Sequence, residues 1–241
     1  MKKIAIIISL LCATLVVSAQ EVPTSFPRKF LLEHFTGEEC GYCPGGMYAM
    51  GKHIESSNIP HIWVSHHSNT DEYTIPENAR IGKAVGVQGA PNLAFNRTKL
   101  MGQFIAFHPV NLPNLADLIV KKFDTVAEAS VLIDRTYNPD TRELTVTVSG
   151  QVANAETTEY LLTVLVKENG LLGKQKDYES YSYGGWKEFI HPRVVRDVLS
   201  AEALGDTVYV TNQAYSKTYS YTISEDWVPE NCGVVAYITS L

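Results

Sequence analysis

Positive charge is scarce in this sequence. Its 241 residues include 20 lysines and arginines against 26 aspartates and glutamates, which gives a formal net charge of −6. Surfaces that bind phosphate groups need clustered lysine and arginine side chains, and the sequence contains no such run. The composition therefore argues against a nucleic-acid partner.

Long apolar runs are also missing, apart from one at the start. Lys2 and Lys3 precede an apolar segment over Ile4–Val17, and the small residues Ser18 and Ala19 follow it. This is the pattern of a secretory signal peptide, so we expect residues 1–19 to be removed on export. No later stretch approaches the ~20 apolar residues of a spanning helix, which predicts a chain without a transmembrane segment.

Cysteine is rare as well, with 4 in the whole sequence. Cys12 lies within the expected signal peptide, and Leu11 before it is not the small residue that a lipid-attachment site requires. The mature chain keeps Cys40, Cys43 and Cys232, an odd number in an oxidising compartment. One of these thiols must therefore stay unpaired or form only a transient disulfide.

Strands and helices alternate in the first half of the sequence. Apolar runs predict strands at 29–35 and 61–68, and the spacing of Met47, Met50 and Ile54 predicts a helix between them. Further along, the pattern predicts a helix after Pro76, a turn entering a strand at "GAPNLAFN", and an amphipathic helix over 112–126. We therefore expect an α/β domain over residues 20–128.

The second half, residues 129–241, has a different pattern of polar and apolar residues. Polar and apolar residues alternate in "SVLIDRTY", "RELTVTVSGQVA", "EYLLTVLVKE", "DTVYVT", "KTYSYTI" and "GVVAYITS". Short strands at regular spacing predict an all-β antiparallel sandwich of the immunoglobulin-like kind. The segment 173–204 is the least regular part, and "RVVRDVLSAEAL" predicts a short helix within it.

Cys40 and Cys43 are two residues apart at the start of the first predicted helix. The free N–H groups and partial positive charge of a helix N-terminus stabilise a thiolate. Cys40 would then be the attacking sulfur, and Cys43 the sulfur that resolves the mixed disulfide. By itself the spacing fits a redox catalyst, a structural bridge or a metal clip.

A second motif bears on that choice. The run "GVQGAPNLAFN" places Ala90 and Pro91 before a predicted strand. Together with "CGYC", this run resembles the thioredoxin superfamily, whose members carry a cis-proline on a loop facing the CxxC motif. The resemblance implies that Ala90 and Pro91 dock the substrate peptide, and Asn92 stands where that family commonly has threonine.

The surroundings of the cysteines depart from that family. Glu39 stands directly before Cys40, where tryptophan is usual, and Glu38 lies beside it. Nearby carboxylates disfavour a thiolate, which predicts a mild oxidant. Thioredoxins also bury an acid on the preceding strand as a proton acceptor for the resolving cysteine. His34 stands at that position with Glu33 beside it, so either is a candidate for proton transfer.

Three stretches resemble a narrower family. "EHFTGEECGYCPGG", "HPRVVRDVL" and "EDWVPENCGVVAYI" are similar to the 28-kilodalton outer-membrane proteins of Bacteroidetes, which join a thioredoxin-like half to a β-sandwich half. The resemblance covers essentially the whole mature chain. It implies a location in the periplasm or at the outer membrane or cell surface of a Gram-negative bacterium, with association to the outer membrane.

Other residues have weaker claims to function. His66 or His67 would join the cysteines in a copper or zinc site, but adjacent strand residues face opposite ways, and hydrogen-bonded histidines without a metal are the simpler interpretation. Cys232 is either a third redox partner or a small buried thiol. The aromatic residues of 178–189 suit glycan or peptide binding, or simply cover the sandwich.

These observations favour an exported thiol-disulfide oxidoreductase that acts on protein thiols or disulfides of the cell envelope. Cys40 attacks, Cys43 resolves, Ala90 and Pro91 dock the substrate, and neither a metal nor an organic cofactor is required. The alternative is a non-catalytic, adhesin-like surface binding protein whose CxxC bridge is only structural.

Overall fold

A computed structural model describes residues 23–55, 59–68, 71–100, 103–107, 125–156, 158–178 and 185–239. The expected signal peptide lies outside the described residues, and so does the expected helix over 112–126 except for its last two positions. In the described part of the chain most of the regular structure is β-strand. No helix there has the length and apolar character needed to cross a bilayer.

The first half of the chain contributes six strands and two helices in its described residues. The strands are β1 (Phe26–Pro27), β2 (Phe30–Thr36), β3 (His61–His67), β4 (Asn92–Leu100), β5 (Gln103–Phe107) and β6 (Val126–Ala127). The helices are α1 (Cys43–Met50), which continues as a π-helical turn over Gly51–Glu55, and α2 (Pro76–Ala84). The strands and helices expected at β2, α1, β3, α2 and β4 are thus confirmed.

The second half is built from strands. They are β7 (Leu132–Asn138), β8 (Glu143–Gln151), β9 (Glu159–Glu168), β10 (Leu171–Asp177), β11 (Gly185–His191), β12 (Val194–Val198), β13 (Asp206–Tyr209), β14 (Ala214–Thr222) and β15 (Cys232–Thr239). A 3₁₀ turn over Pro229–Asn231 precedes the last strand.

One eight-stranded sheet runs through both halves. Its strand order is β13-β9-β12-β3-β2-β4-β5, and β15 also pairs with β9. β2 and β3 are parallel over their full length, whereas β2 and β4 are antiparallel. The junction between the halves is a parallel bridge between Val194 of β12 and Ser65 of β3. Strands from both sides of residue 128 therefore hydrogen-bond within a single sheet.

β2 is buried at every position and packs on both faces. Leu32 faces α1 and shares an apolar cluster with Met47 and Met50. Phe35, whose side chain points the other way, packs against Ile81 of α2. A strand covered on both faces is expected to be largely apolar, which explains Phe30, Leu31, Leu32 and Phe35, while Glu33 and His34 are its buried polar exceptions.

The second half is rich in strands, as expected, and a three-stranded sheet packs there on strands of the large sheet, so this sandwich shares its larger layer with the first half. β14, β8 and β7 form a three-stranded sheet. The alternating side chains of β8, such as Val146 and Val148, pack against Leu162 and Val164 of β9 in one core cluster. Because β9 is also joined to β12, and β12 to β3, this sandwich extends the first sheet instead of standing beside it.

The helix predicted within "RVVRDVLSAEAL" is wrong, because Val194–Val198 forms β12. Val194 and Val195 are fully buried between strands on either side. Two adjacent β-branched residues suit a buried strand, and pairing with β9 and β3 outweighs the local helical pattern.

Candidate functional site

A disulfide joins Cys40 to Cys43 at the start of α1, with 5.3 Å between their Cα atoms. Cys43 is the first residue of the helix and is fully buried. Cys40 lies in the preceding loop and is partly exposed. Cys40 is therefore the more accessible residue of the pair.

Backbone hydrogen bonds hold residues 37–42, here called the cysteine loop, in a tight turn. The Cys40 N–H donates to the Gly37 carbonyl, and the Cys43 N–H donates to the Cys40 carbonyl, both at 3.0 Å. Pro44 occupies the first turn of α1, where its missing N–H costs nothing. This turn places the disulfide at the N-terminus of α1, where the helix dipole is positive, as the sequence predicted.

The hairpin of β10 and β11 packs along this loop from the second half of the chain. The Lys176 N–H donates to the Glu38 carbonyl at 2.8 Å, and the Tyr178 N–H donates to the Gly41 carbonyl at 2.9 Å. The Lys174 N–H donates to the Glu38 carboxylate at 3.0 Å. Residues of the irregular segment 173–204 therefore form one wall of the site.

Gln175 places its side chain inside this contact. The side chain is fully buried, and its Nε2 lies 3.1 Å from the Gly37 carbonyl, 3.1 Å from that of Glu38 and 2.9 Å from that of Cys40. Sequence reasoning missed this residue. Its partners are backbone carbonyls, which leave no trace in the side-chain pattern.

Tyr178 covers the loop between the cysteines. A Cβ atom placed on Gly41 would lie 2.4 Å from a ring carbon of Tyr178, so only glycine fits beneath this ring. Tyr42 packs edge-on against the same ring at a centroid distance of 5.0 Å, and both tyrosines remain largely exposed. The expected aromatic cluster thus begins beside the cysteines, while its residues 179–184 lie outside the described part of the chain.

The Ala90–Pro91 loop lies at the same end of the sheet as the cysteine loop. The peptide bond between Ala90 and Pro91 is cis. Asn92, the next residue, pairs with Phe35 near the end of β2, and the cysteine loop follows directly after β2. Ala90 is exposed and Pro91 is buried.

His34 lies beneath the cysteine-bearing helix. It follows Leu32 by two residues on β2, so its side chain points to the α1 face. The ring is fully buried against Trp63, and neither ring nitrogen has a hydrogen-bond partner among the described residues. Burial first, and then the nearby His67 and His66, lower the pKa of His34 to about 3. The imidazole is therefore neutral at physiological pH.

Glu33 points to the opposite face of the sheet. Its carboxylate accepts two hydrogen bonds from Arg97, at 3.1 Å and 3.0 Å, and one from the Tyr237 hydroxyl at 3.0 Å. Burial alone would raise its pKa, but the charge of Arg97 and hydrogen bonds from His66 and Arg97 outweigh it and lower the pKa to about 2. The structure therefore does not bring Glu33 together with the cysteine pair.

The adjacent histidines are hydrogen-bonded. His66 Nδ1 lies 2.9 Å from the Asn78 Oδ1, and His67 Nδ1 lies 2.5 Å from the Asp71 carboxylate. Asp71 also accepts the Glu38 N–H at 2.7 Å, so this pair supports the cysteine loop. Across the described ranges, no group of three or more histidine, cysteine and acidic residues is arranged to hold a metal ion.

Cys232 begins β15 and packs against the core of the sandwich, apart from the cysteine pair. Its sulfur donates to the Val228 carbonyl at 3.4 Å. Burial first, and then the charge of Glu168, raise the pKa of this thiol to about 11. It is a weakly acidic, partly buried thiol.

The acidic residues before Cys40 differ in surroundings. Glu38 is buried, and burial raises its pKa. Glu39 has a largely exposed side chain, 3.9 Å from the Lys176 ammonium. The negative charge expected beside the cysteines is thus partly countered by Lys176, a residue of the hairpin.

Comparisons with known proteins point to one family. The family described as "Outer membrane protein Omp28" matches residues 78–240, which excludes the cysteine loop. The solved structure of HBP35 of Porphyromonas gingivalis is similar in fold, with a TM-score of 0.72 and 22% identity over 89% of this chain and 70% of that one. A protein of Agrobacterium tumefaciens gives a TM-score of 0.45 and 16% identity over 85% and 80% of the two chains. No curated protein matches the sequence.

Proposed function

Since the chain belongs to the Omp28 family of outer membrane proteins, we propose that it is an exported thiol-disulfide oxidoreductase that acts on proteins of the cell envelope. The observation that carries this proposal is the unequal exposure of the bridge at the start of α1. Cys40 is accessible while Cys43 is fully buried, the arrangement needed for one attacking and one resolving sulfur.

In the reducing direction, the Cys40 thiolate attacks one sulfur of a substrate disulfide. A mixed disulfide forms, and the other substrate sulfur leaves as a thiolate and takes up a proton. Cys43 then loses its proton and attacks the Cys40 sulfur, which re-forms the Cys40–Cys43 bridge and releases the second substrate thiol. Oxidation of a substrate dithiol is the reverse sequence.

His34 supports the resolving step in this proposal. Cys43 must lose a proton before it attacks, and the helix that it begins packs on the sheet face that carries His34. The imidazole is neutral, and no hydrogen bond within the described residues occupies its lone pair. Because its pKa is about 3, it is a weak base, and we assign it only the transfer of the Cys43 proton during the attack toward the leaving substrate sulfur. Glu33 on the opposite face is not placed to fill this role.

The substrate segment lies, in our proposal, between two surfaces. The Ala90–Pro91 loop lies at the same end of the sheet as the cysteine loop, and Tyr42 and Tyr178 pack against each other on that loop. The thioredoxin-like character proposed for this half is supported by parallel β2 and β3, the bridge at the start of α1 and antiparallel β4. The chemistry needs no metal or organic cofactor.

Reduction of insulin by dithiothreitol or glutathione tests this function. We expect the mature chain to accelerate precipitation of the insulin B chain, and Cys40→Ala to lose that acceleration. A Cys232→Ala variant serves as a matched control, because it removes a thiol that lies apart from the pair. Equal activity of Cys40→Ala and the unchanged protein would rule out the catalytic role.

An adhesin-like binding protein is the second candidate. The observation that favours it is the outer face of the β10–β11 hairpin, where Leu172, Trp186 and Ile190 are each about half exposed or more. In that case the bridge only braces the loop. Substitution of Trp186 and Ile190 would then abolish binding to the partner, while loss of Cys40 would leave it intact.

A further inference from the structure

The cysteine loop turns several backbone carbonyls toward one buried side chain. The oxygens of Gly37, Glu38 and Cys40 all lie within 3.1 Å of the Gln175 Nε2, and the Lys176 oxygen lies 3.0 Å from it. The amide has two hydrogens to serve these four acceptors. Its own Oε1 has no hydrogen-bond partner in the described part of the chain, so the group acts here as a donor.

These carbonyls matter for the charge on Cys40. The negative ends of their dipoles converge beside the loop, and one of them belongs to Cys40 itself. Negative potential close to a cysteine disfavours its thiolate. The two N–H groups of Gln175 offset that potential from a site with no water access, where their effect is larger than in solvent.

We propose that Gln175 is a positioning residue that sets the redox equilibrium of the Cys40–Cys43 pair. The inference rests on the proposed function, and it assigns the tuning of the first-half cysteines to a side chain of the second half. The reaction at issue is reduction of the bridge by two glutathione molecules. Two electrons and two protons enter the protein, two protein thiols form, and one molecule of oxidised glutathione leaves.

The direction of the effect follows from the electrostatics. Without the amide, the carbonyls of Gly37, Glu38 and Cys40 keep only their backbone N–H donors. Less of their negative potential is then offset, and the Cys40 thiolate is less stable. The pKa of the Cys40 thiol then rises, and the reduced form loses stability relative to the disulfide at pH 7. The variant protein is therefore a stronger reductant that attacks disulfides more slowly at neutral pH.

The test is the equilibrium constant of the full mature chain with a glutathione buffer. We expect Gln175→Met to shift that constant about tenfold toward the disulfide, which is about 30 mV for a two-electron couple. The rate of alkylation of Cys40 by iodoacetamide, followed against pH, should show a raised pKa of that thiol.

Gln213 offers a matched control in the same chain. Its Nε2 donates to the carbonyls of Val152 and Ala153, at 3.1 Å and 3.2 Å, in a turn of the sandwich. Gln213→Met therefore loses the same kind of hydrogen bond away from the cysteines. We expect it to lower thermal stability without moving the glutathione equilibrium.

Gln175→Glu provides a second variant of nearly unchanged shape, which is measured in the same way if Gln175→Met does not fold. Burial among carbonyls raises the pKa of the introduced carboxyl group, so the equilibrium should move in the same direction as the pH is raised and that group ionises. Equal constants for the Gln175 variants and Gln213→Met would overturn this inference and leave the proposed function standing. A bridge that glutathione fails to reduce in the unchanged protein would overturn both.

Discussion

Tyr178 donates its backbone N–H to the carbonyl of Gly41 and lays its ring across the same residue. A residue between the two cysteines is thereby fixed by a hairpin from the far half of the chain. The shape and charge of the cysteine loop consequently depend on both halves of the chain.

Gly41→Ala should destabilise the oxidised protein. The added Cβ would lie 2.4 to 2.5 Å from three ring carbons of Tyr178, so the ring or the loop has to move. We expect a loss of about 1–3 kcal/mol in the free energy of unfolding, measured by urea titration. Gly89→Ala is the control, because a Cβ there meets nothing within 4 Å. An equal effect of the two substitutions would contradict the packing described here.

His34→Leu should separate stability from activity. Leucine fills the apolar site without the two buried nitrogens that lack partners, so the free energy of unfolding at pH 7 should stay equal or rise by about 1 kcal/mol. Release of substrate from the mixed disulfide should slow by about tenfold or less, below the usual contribution of a positioned base, because a pKa near 3 makes His34 a weak base. Stopped-flow measurement of the resolving step checks this, and an unchanged rate would remove His34 from the mechanism.

The same substitution should flatten the acid dependence of stability. The folded-state pKa of His34 lies near 3, below its ordinary value of 6.5, so the unfolded chain binds more protons between these values. Stability therefore falls as pH drops from 6.5 toward 3, and His34 supplies part of that slope. His191, whose pKa burial lowers to about 4, supplies another part and remains in the variant. Thermal melts at pH 7, 5.5 and 4 measure the difference.

Glu33→Gln should destabilise the protein strongly at neutral pH. The substitution leaves the Arg97 guanidinium buried without its carboxylate, which costs about 3–5 kcal/mol. The folded-state pKa of Glu33 is depressed to about 2 from 4.5, so its contribution is present above 4.5 and is lost as pH falls toward 2. The difference in free energy of unfolding between the unchanged protein and Glu33→Gln should therefore become smaller as pH falls from 4.5 toward 2. Glu77→Gln, which removes a partly exposed partner of Arg80, should change stability by under about 0.5 kcal/mol.

Local patterns in the sequence are sufficient to predict the central elements. β2 and β3 are apolar runs of strand length, and Pro76 stands at the start of α2, so hydrophobic period and helix-start signals agree there. The position of the cysteine pair at the start of α1 is predicted by the same reasoning. These features depend on residues close to one another in the chain.

The features that sequence reasoning missed depend on distant pairing. The bridge between Val194 and Ser65 joins strands far apart in sequence, and nothing in either strand specifies its neighbour. Gln175 acts on backbone carbonyls, which every residue carries. Glu33 and His34 are adjacent, and only the packing of α1 decides which of them faces the cysteines.

Trapping of a substrate tests the catalytic account most directly. In Cys43→Ser the resolving sulfur is gone. Cys40 should therefore remain joined, through a mixed disulfide, to a test substrate such as scrambled ribonuclease. We predict a covalent complex on a non-reducing gel. Dithiothreitol should reduce this complex, and the Cys40→Ser/Cys43→Ser double variant should not form it. Failure of Cys43→Ser to form that complex, under conditions where its Cys40 thiol is freely alkylated, would contradict the account.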